Sequence, residues 1–359
     1  MKIRSVGVQN YRNIALARLD LDSPRVFFVG NNGEGKTNLL EALGCITSLR
    51  AFRTRENKTL IGPDHSYSEI AYDVEHEELG DLSARIRVKQ KGKEAWIDDQ
   101  PAKRVSDFVS RFPTVVLSSN DLMITRGSPG VRRRLLDNFL CGASREYFVA
   151  LQSYSKALQE RNALLKKGMD AGVLRAFEAQ MGEPAAVIYT KRKQAIADLL
   201  ESSQDCYSTI SGEEQSLGIE YRPNLEIGEP NDFQDALDKN RSRDEILHST
   251  SKGPHRDDFS ITLGGLPTAD FASEGQQRLS VLALSLAIIR YWQQTLKVSP
   301  VVLADDVLGE LDSQRRKRFW QTMDPQLQFI ATGTQLPEDG DQGDWKIYRV
   351  SSGCFERDI

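Results

Sequence analysis

Residues Gly30-Asn31-Asn32-Gly33-Glu34-Gly35-Lys36-Thr37 fit the spacing G-x-x-x-x-G-K-[ST] at every fixed position. Nothing else in the chain constrains its fold as much, because this loop works only between a strand and a helix. Both are present. Arg25-Val26-Phe27-Phe28-Val29 is a short β-rich run, and Asn38-Leu39-Leu40-Glu41-Ala42-Leu43 opens a helical pattern. The three glycines let the backbone curl so that successive N–H groups converge on phosphate oxygens. The helix N-terminus that follows also favours anions. Lys36 is then placed for the β- and γ-phosphates of a nucleotide, and the Thr37 hydroxyl for Mg²⁺.

The 359 residues allow one large or two modest domains. A formal net charge of −4 is not the strongly basic balance usual for nucleic-acid proteins, so any such contact must come from a local patch. Cys45, Cys141, Cys206 and Cys354 are scattered, without a C-x-x-C pair. That argues against a zinc site or a disulfide framework and fits a reducing compartment. No apolar run approaches the roughly 20 residues of a membrane span. The first residues read as a β-strand, not a leader, so the expectation is a soluble, cytoplasmic protein without membrane contact.

The start is β-rich. After the first helix, Ser68–Val74, Leu82–Val88 and Glu94–Ile97 read as antiparallel hairpin strands, and Thr114–Leu117 as a buried strand. The texture changes at Ser128-Pro129-Gly130. Leu136, Leu140, Tyr147, Leu151, Tyr154, Leu158 and Leu165 then recur at helical steps, as do Phe177, Met181, Ile188, Ala195, Leu199, Cys206 and Ile210. Two long amphipathic helices predict a short antiparallel arm, with a polar connector over 212–250. Strand texture returns at Phe259–Leu263. The expected organisation is an α/β domain in two pieces, 1–127 and 250–359, with a helical insertion over 128–249.

Val301-Val302-Leu303-Ala304-Asp305 is an apolar strand ending in a carboxylate, the Walker B pattern, which delivers Asp305 to Mg²⁺ and phosphates at the sheet edge. Asp306 is placed to orient or deprotonate a water, or else it is a strand-end cap or a surface acid. Because Asp is one methylene shorter than Glu, any hydrolysis is expected to be slow. Lys36, Asp305 and Asp306 are thus the candidate catalytic groups. Ser273-Glu274-Gly275-Gln276 precedes the apolar helix Leu279–Trp292. Alone it is an ordinary helix start. With both Walker elements it resembles the S-x-G-Q signature of ABC-type ATPases, which implies that Ser273, Gly275 and Gln276 contact the γ-phosphate of ATP on an opposite protomer. One chain holds one copy of each element, so two composite sites need an ATP-bound homodimer. Glu310-Leu311-Asp312 resembles the D-loop of that superfamily or is a polar turn before a helix. Thr332-Gly333-Thr334 stands where the superfamily senses γ-phosphate, usually with a His.

The order of these elements resembles the RecF family of SMC/Rad50-like ATPases. The resemblance rests on Asn10-Tyr11-Arg12-Asn13, on Gly33 to Ala42, on Asp121-Leu122 with Gly127-Ser128-Pro129, Arg132-Arg133-Arg134 and Asp137, and on Gly253-Pro254-His255-Arg256-Asp257-Asp258. Ser119-Asn120, Leu135, Glu274, Ala304 and Gly309 depart from the family pattern and mark a divergent member. The resemblance implies an ABC-type head of the SMC/Rad50 kind with a short inserted arm, weak ATPase activity and ATP-dependent dimerisation. It also implies binding to gapped or single-stranded DNA, and cooperation with RecO and RecR to load RecA. Competing readings are an SMC-like structural DNA tether and a conventional P-loop ATPase or kinase.

Arg132-Arg133-Arg134, Lys156 with Arg161, Lys166-Lys167 and Lys191-Arg192-Lys193 are the candidate DNA patches. Such clusters neutralise phosphates without reading sequence, or else form a solvated helix face; for Arg132–Arg134 the resemblance also implies a place near the junction of head and arm. His255 and Arg256 either sense nucleotide or brace the sheet, bracing being the preferred reading for His255.

Overall fold

A computed structural model of the chain describes residues 1–54, 56–109, 111–118, 121–168, 171–337 and 344–358, except the side chains of residues 106 and 171. Ser119 and Asn120 lie outside the described residues. The chain runs through β1 (Lys2–Tyr11), β2 (Ile14–Asp20), β3 (Arg25–Val29), α1 (Lys36–Ser48), β4 (Tyr67–His76), β5 (Gly80–Lys89), β6 (Gly92–Ile97), β7 (Gln100–Pro101) and β8 (Thr114–Ser118). Helices α2 (Leu122–Arg126), α3 (Pro129–Ala143), α4 (Arg145–Lys166), α5 (Ala171–Ala179) and α6 (Gly182–Ser211) follow, then β9 (Leu217–Arg222) and α7 (Pro230–Leu247). The last part carries β10 (Asp258–Leu263), β11 (Leu266–Pro267), α8 (Thr268–Phe271), α9 (Glu274–Leu296), β12 (Val301–Asp305), α10 (Ser313–Thr322), β13 (Phe329–Gly333), β14 (Lys346–Ser351) and β15 (Cys354–Arg357).

These elements form two compact units. The first comprises Met1–Asp121, Ser202–Glu214 and Glu274–Ile359, the second Leu122–Glu201 and Gln215–Ser273. In the first unit, one sheet has the order β2-β1-β4-β5-β6-β7 and pairs antiparallel throughout. Its strands alternate buried and exposed residues, most cleanly in β4, as a sheet with one wet face does. The other sheet has the order β15-β14-β3-β13-β12-β8. All its pairs are parallel except β14 with β15. Every residue of β3 and β12 is buried, which explains their unbroken apolar runs. Helix α1 packs against β8, β12 and β13 of this sheet and against β1 of the other. The apolar residues of both sheets and α1 join in one core cluster.

Register in the parallel sheet sets up the site. Asp305 lies beside Thr332, and Thr332 beside Phe28 on β3, two residues before Gly30. Gln328, buried just before β13, fastens the two sheets together. Its amide donates to the carbonyls of Ile3 (2.9 Å) and Leu21 (2.8 Å) and accepts from the Ile3 N–H (2.7 Å).

The second unit departs from the expected all-helical arm. The first apolar pattern is two helices, α3 and α4, separated at Ser144, whose hydroxyl caps α4 by accepting from the Tyr147 N–H (3.2 Å). The expected connector over 212–250 holds β9 and α7. Helix α7 starts on a capping box between Glu229 and Asp232 with Pro230 at its first turn, and buries Phe233, Ala236 and Leu237 at helical spacing. Strand β9 pairs antiparallel with β10 from Asp258↔Arg222 to Leu263↔Leu217, and β11 completes a three-stranded sheet. Residues 250–273, expected with the ATPase head, therefore fall in this unit, and 202–214 fall in the first.

Two buried ionic clusters hold the second unit. Arg161 donates to Glu178 (2.9 Å), Asp244 (2.8 Å) and the Thr250 hydroxyl (2.7 Å). Arg192 donates to Asp137 (2.7 Å), Asp257 (2.9 Å), the Tyr147 hydroxyl (3.0 Å) and the Pro254 carbonyl (2.7 Å). The run Gly253–Asp258 thus braces this unit. His255 bridges the Tyr154 hydroxyl (2.7 Å) and the Thr250 carbonyl (2.9 Å), and burial lowers its pKa to about 4. Gly253 has φ +128°, and a Cβ there would lie 2.5 Å from the Tyr154 hydroxyl oxygen, so only glycine fits.

Candidate nucleotide-binding site

The loop from Gly30 to Thr37 joins β3 to α1, as its spacing requires. Gly30 donates from its N–H to the Gly333 carbonyl (3.2 Å), which ties the loop's first residue to the end of β13. Gly35, at φ +113°, forms the left-handed corner before α1, and a Cβ there would press on the Asn13 amide at 3.1 Å. Asn13 in turn accepts from the Asn38 amide (2.7 Å), so the β1–β2 turn supports the helix start. On the other side, the Glu34 carbonyl accepts from the Gly353 N–H (2.8 Å) and its carboxylate from the Ser352 N–H. The loop is thus held at three places by a strand end and two turns distant in sequence. The sequence reading missed Asn13 and Ser352-Gly353 as supports, since nothing local distinguishes them.

Lys36 is buried, and its ammonium donates to the carbonyls of Gly30 (2.7 Å) and Asn31 (2.9 Å). The cation is thus held by carbonyls at the start of the loop. The Thr37 hydroxyl donates to Asp305 Oδ1 (2.8 Å), and the Thr332 hydroxyl donates to the same oxygen (3.0 Å). Residues at three distant points of the chain therefore meet at one carboxylate. Burial raises the Asp305 pKa, the two hydroxyl donors oppose that shift, and the neighbouring charge of Asp306 adds to it. Asp306 follows in the left-handed region at φ +57°, a conformation Asp tolerates. Its N–H donates to the Thr332 hydroxyl (3.2 Å). Thr332 is thus a buried anchor for both acidic residues.

A further carboxylate went unassigned in the sequence. Asp121 accepts from the Ser118 N–H (2.7 Å), and Ser118 pairs with Asp305 in the β8–β12 register. Burial pushes its pKa up to about 7, the Ser118 N–H opposing and the charge of Asp305 adding. The available signal was a buried strand, Thr114–Leu117, with an acid four residues beyond its end.

Hydroxyl and carboxylate oxygens are the donor set that suits a hard divalent cation, and Thr37 and Asp305 are already in contact. Among the described residues no group of three or more His, Cys, Asp or Glu could hold a metal by itself. Two protein ligands would therefore be completed by phosphate and water, as is usual for Mg²⁺.

Ser273 is exposed and lies one residue before α9, while Gly275 and Gln276 sit in the helix's first turn. The Gln276 amide donates to Glu213 (3.3 Å). Arg278 pairs with Glu274 (2.8 Å) and reaches Glu310 (3.5 Å). Asp312 caps α10 by accepting from the Arg315 N–H (2.8 Å), so the polar-turn reading of that segment describes its local structure.

The basic candidates fare unevenly. Arg192 is not a surface cation, because it is 2% exposed and spent on Asp137 and Asp257. Arg161 is likewise fully buried. A charge run reads as a solvated face, and the acids that bury these two come from distant elements. Arg132 forms a two-pronged pair with Asp258 (2.6 and 2.9 Å), and Arg133 donates to the Asp257 carbonyl (2.6 Å). Lys191 pairs with Glu146 (2.9 Å), and Lys193 is exposed beside the Tyr189 ring.

A family model described as the RecF/RecN/SMC N terminal domain matches residues 2–338. Proteins named DNA replication and repair protein RecF from Leptospira interrogans serogroup Icterohaemorrhagiae serovar copenhageni and from Thermosynechococcus vestitus are 35% and 32% identical to this chain. Both alignments cover 94% of it, and 92% and 91% of those proteins. A solved structure of the recombination mediator protein RecF with ATP aligns with TM-score 0.89 at 27% identity, covering all of this chain and 98% of that one. A second, with ATPrS, aligns with TM-score 0.88 over 99% of this chain and 97% of that one. An SMC head domain at 17% identity and TM-score 0.54 shares the fold. The motifs, the two-sheet ATPase-head architecture and near-full-length similarity agree, and the chain belongs to the RecF family.

Proposed function

We propose that this chain is an ATP-switched DNA-binding protein of recombinational repair and replication restart. On this reading it dimerises on ATP at gapped or single-stranded DNA and assists RecO and RecR in loading RecA. The observation that carries it is the meeting of Thr37, Asp305 and Thr332 beside the Lys36 loop. That meeting occurs in a chain similar over its full length to a RecF structure solved with ATP.

The loop Gly30–Thr37 binds the triphosphate through backbone N–H groups, and Lys36 exchanges its two carbonyl partners for β- and γ-phosphate oxygens. Thr37 and Asp305 would hold Mg²⁺, which when bound neutralises charge between those phosphates. Asp306 orients a water for slow hydrolysis. Ser273, Gly275 and Gln276 contact the γ-phosphate held by a second copy, so ATP is the adhesive between protomers. Lys156, Lys166, Lys167 and Lys193, which are exposed, and Lys191, which is paired with Glu146, are the lysine candidates that remain for DNA phosphates, with no base readout. Among the described residues no helix is long and apolar enough to cross a membrane.

Sedimentation velocity tests this. Wild type is expected to pass from monomer to dimer with Mg-ATP and to bind gapped duplex more tightly in that state. Lys36→Met is expected to stay monomeric at the same ATP concentration. A protein whose oligomeric state ignores ATP refutes the reading, and one that dimerises but does not distinguish gapped from intact duplex is an SMC-like tether.

A further inference from the structure

The residues that resemble the signature and the D-loop are joined in this chain by two side-chain struts. One is Arg278, between Glu274 and Glu310. The other passes through a residue to which the sequence reading gave no role. Glu213 Oε2 accepts from the Gln276 amide (3.3 Å), and its Oε1 faces the guanidinium of Arg315 at 4.0 Å. Arg315 also pairs with Asp312 (3.4 Å), and it lies so close to Gly275 that a Cβ there would be 3.3 Å from it. Asp312, Arg315, Glu213 and Gln276 thus form a chain from the first turn of α10 to the first turn of α9.

The backbone beneath Glu213 is fixed as well. Arg318 donates to the Ser211 carbonyl (2.8 Å), at the end of α6. Gly212 follows at φ +69°, with the Arg318 guanidinium lying where a side chain on Gly212 would be, 2.2 Å from an ideal Cβ. The Glu213 N–H then donates to the Ser211 hydroxyl (3.1 Å). A segment clamped to α10 in this way presents one carboxylate to α9. The side chains of Glu213 and Arg315 are about one-third exposed (37% and 31%), and exposed ion pairs contribute little to stability. Orientation is what such a pair can supply.

We propose that Glu213, together with Arg315, is a positioning residue for the Gly275-Gln276 turn. It aims the Gln276 amide and the first N–H groups of α9 at the γ-phosphate that a second copy presents. The proposal rests on reading Ser273–Gln276 as the surface that meets that phosphate. Pre-orientation matters there because ordering a glutamine on encounter costs rotamer freedom that an already ordered one has given up.

A double-mutant cycle tests it. Dimerisation is followed by sedimentation against Mg-ATP concentration for wild type, Glu213→Ala, Gln276→Ala and the double variant. Nucleotide affinity of the monomer and the thermal midpoint are measured alongside. The expected result is that Glu213→Ala and Gln276→Ala each raise the ATP concentration for half-dimerisation roughly tenfold, a typical size for coupled residues. The double variant should be no worse than Gln276→Ala, with melting unchanged. Glu213→Gln, which can still accept from the Gln276 amide, should recover part of the loss. A Gln276→Ala protein that fails to dimerise beside a Glu213→Ala protein that dimerises normally overturns the proposal alone. Effects that multiply in the double variant do the same. A Gln276→Ala protein that dimerises like wild type overturns the signature reading, and the proposal with it.

Discussion

Replacing Arg192 by alanine should cost far more than replacing either lysine beside it. Arg192 makes four donations inside the second unit, two of them to the carboxylates of Asp137 and Asp257, whose side chains are 12% and 3% exposed. Removing one partner of a buried pair costs about 3–5 kcal/mol, because the other charge is left unpaired. Here each orphan keeps some help. Asp137 still accepts from the Tyr147 hydroxyl (2.6 Å), and Asp257 from the Asn224 N–H (2.9 Å) and the Tyr221 hydroxyl. That places the expected loss at about 4 kcal/mol at pH 7.5, a large part of a typical stability of about 5–15 kcal/mol. The loss should depend on pH in a definite direction. Burial already raises the Asp257 pKa while Arg192 opposes the shift, so the variant's Asp257 should rise further above its unfolded value. A raised carboxylate favours the fold at low pH and loses that advantage as pH rises through the folded pKa. The deficit of Arg192→Ala should therefore be largest at neutral pH and shrink by pH 5. Urea unfolding of wild type, Arg192→Ala, Lys191→Ala and Lys193→Ala at both pH values measures it. The two lysine variants should stay within about 1 kcal/mol of wild type. An Arg192→Ala protein as stable as Lys193→Ala, or a deficit that grows on acidification, would refute the buried-network argument.

Gly253→Ala should lower stability by about 2 kcal/mol or more, since it adds a Cβ against Tyr154 and Phe233 at a positive φ; an unchanged thermal midpoint contradicts this. Stability should also carry a slope from His255, whose pKa is lowered to about 4 chiefly by burial, with the Thr250 carbonyl opposing and the charges of Arg256 and Arg133 adding. The neutral ring favours the fold above pH 6.5, and that advantage, about 3 kcal/mol at most, is lost as pH falls from 6.5 towards 4. His255→Gln should flatten the difference in unfolding free energy over that window, and parallel curves would count against it. Thr332→Val removes one of the two hydroxyl donors to Asp305, leaving Thr37, and takes the hydroxyl acceptor from the Asp306 N–H, and should cost about 1–3 kcal/mol by urea unfolding. A neutral result would mean that the threonine hydroxyl is not an anchor.

The first unit was largely legible because its signals are local and periodic. β3, β8, β12 and β13 are apolar runs buried on both faces, and β4 and β5 alternate, so each pattern names its own environment. In the second unit the long helices and β10 were legible, but β9, α7 and the buried charges were not, for reasons particular residues make plain. Strand β9 is six residues, Leu217–Arg222, in a polar stretch, and its partner β10 begins at Asp258. Helix α7 has low apolar content, and only Phe233, Ala236 and Leu237 mark its inner face. Arg161 and Arg192 look like solvent-facing cations until Asp244 and Asp257 arrive from far along the chain. Short-range pattern cannot show charges that are neutralised at long range. Of the nucleotide site, the loop and Asp305 were readable as motifs and Thr332 by its place after a buried strand, whereas the contacts of Thr332 with Asp305 and Asp306 and the roles of Asp121 and Asn13 come only through strand register and turn contacts.

That register also explains how the site tolerates so long an interruption. β8 ends at Ser118 and β12 begins at Val301, yet the two strands pair side by side from Val301↔Thr114 to Asp305↔Ser118. Closing a loop grows more costly only with the logarithm of its length, so an insertion of this size adds little once the strands prefer each other. What cannot vary is the pairing itself. A shift of one residue in β12 would turn Asp305 to the opposite face of the sheet and carry it away from Thr37 and Thr332. The buried apolar residues Val301 to Ala304, packed on both faces, therefore have a second consequence beyond core stability. They fix which carboxylate oxygen meets the loop hydroxyl, and chemistry at the sheet edge inherits its geometry from packing in the sheet's interior.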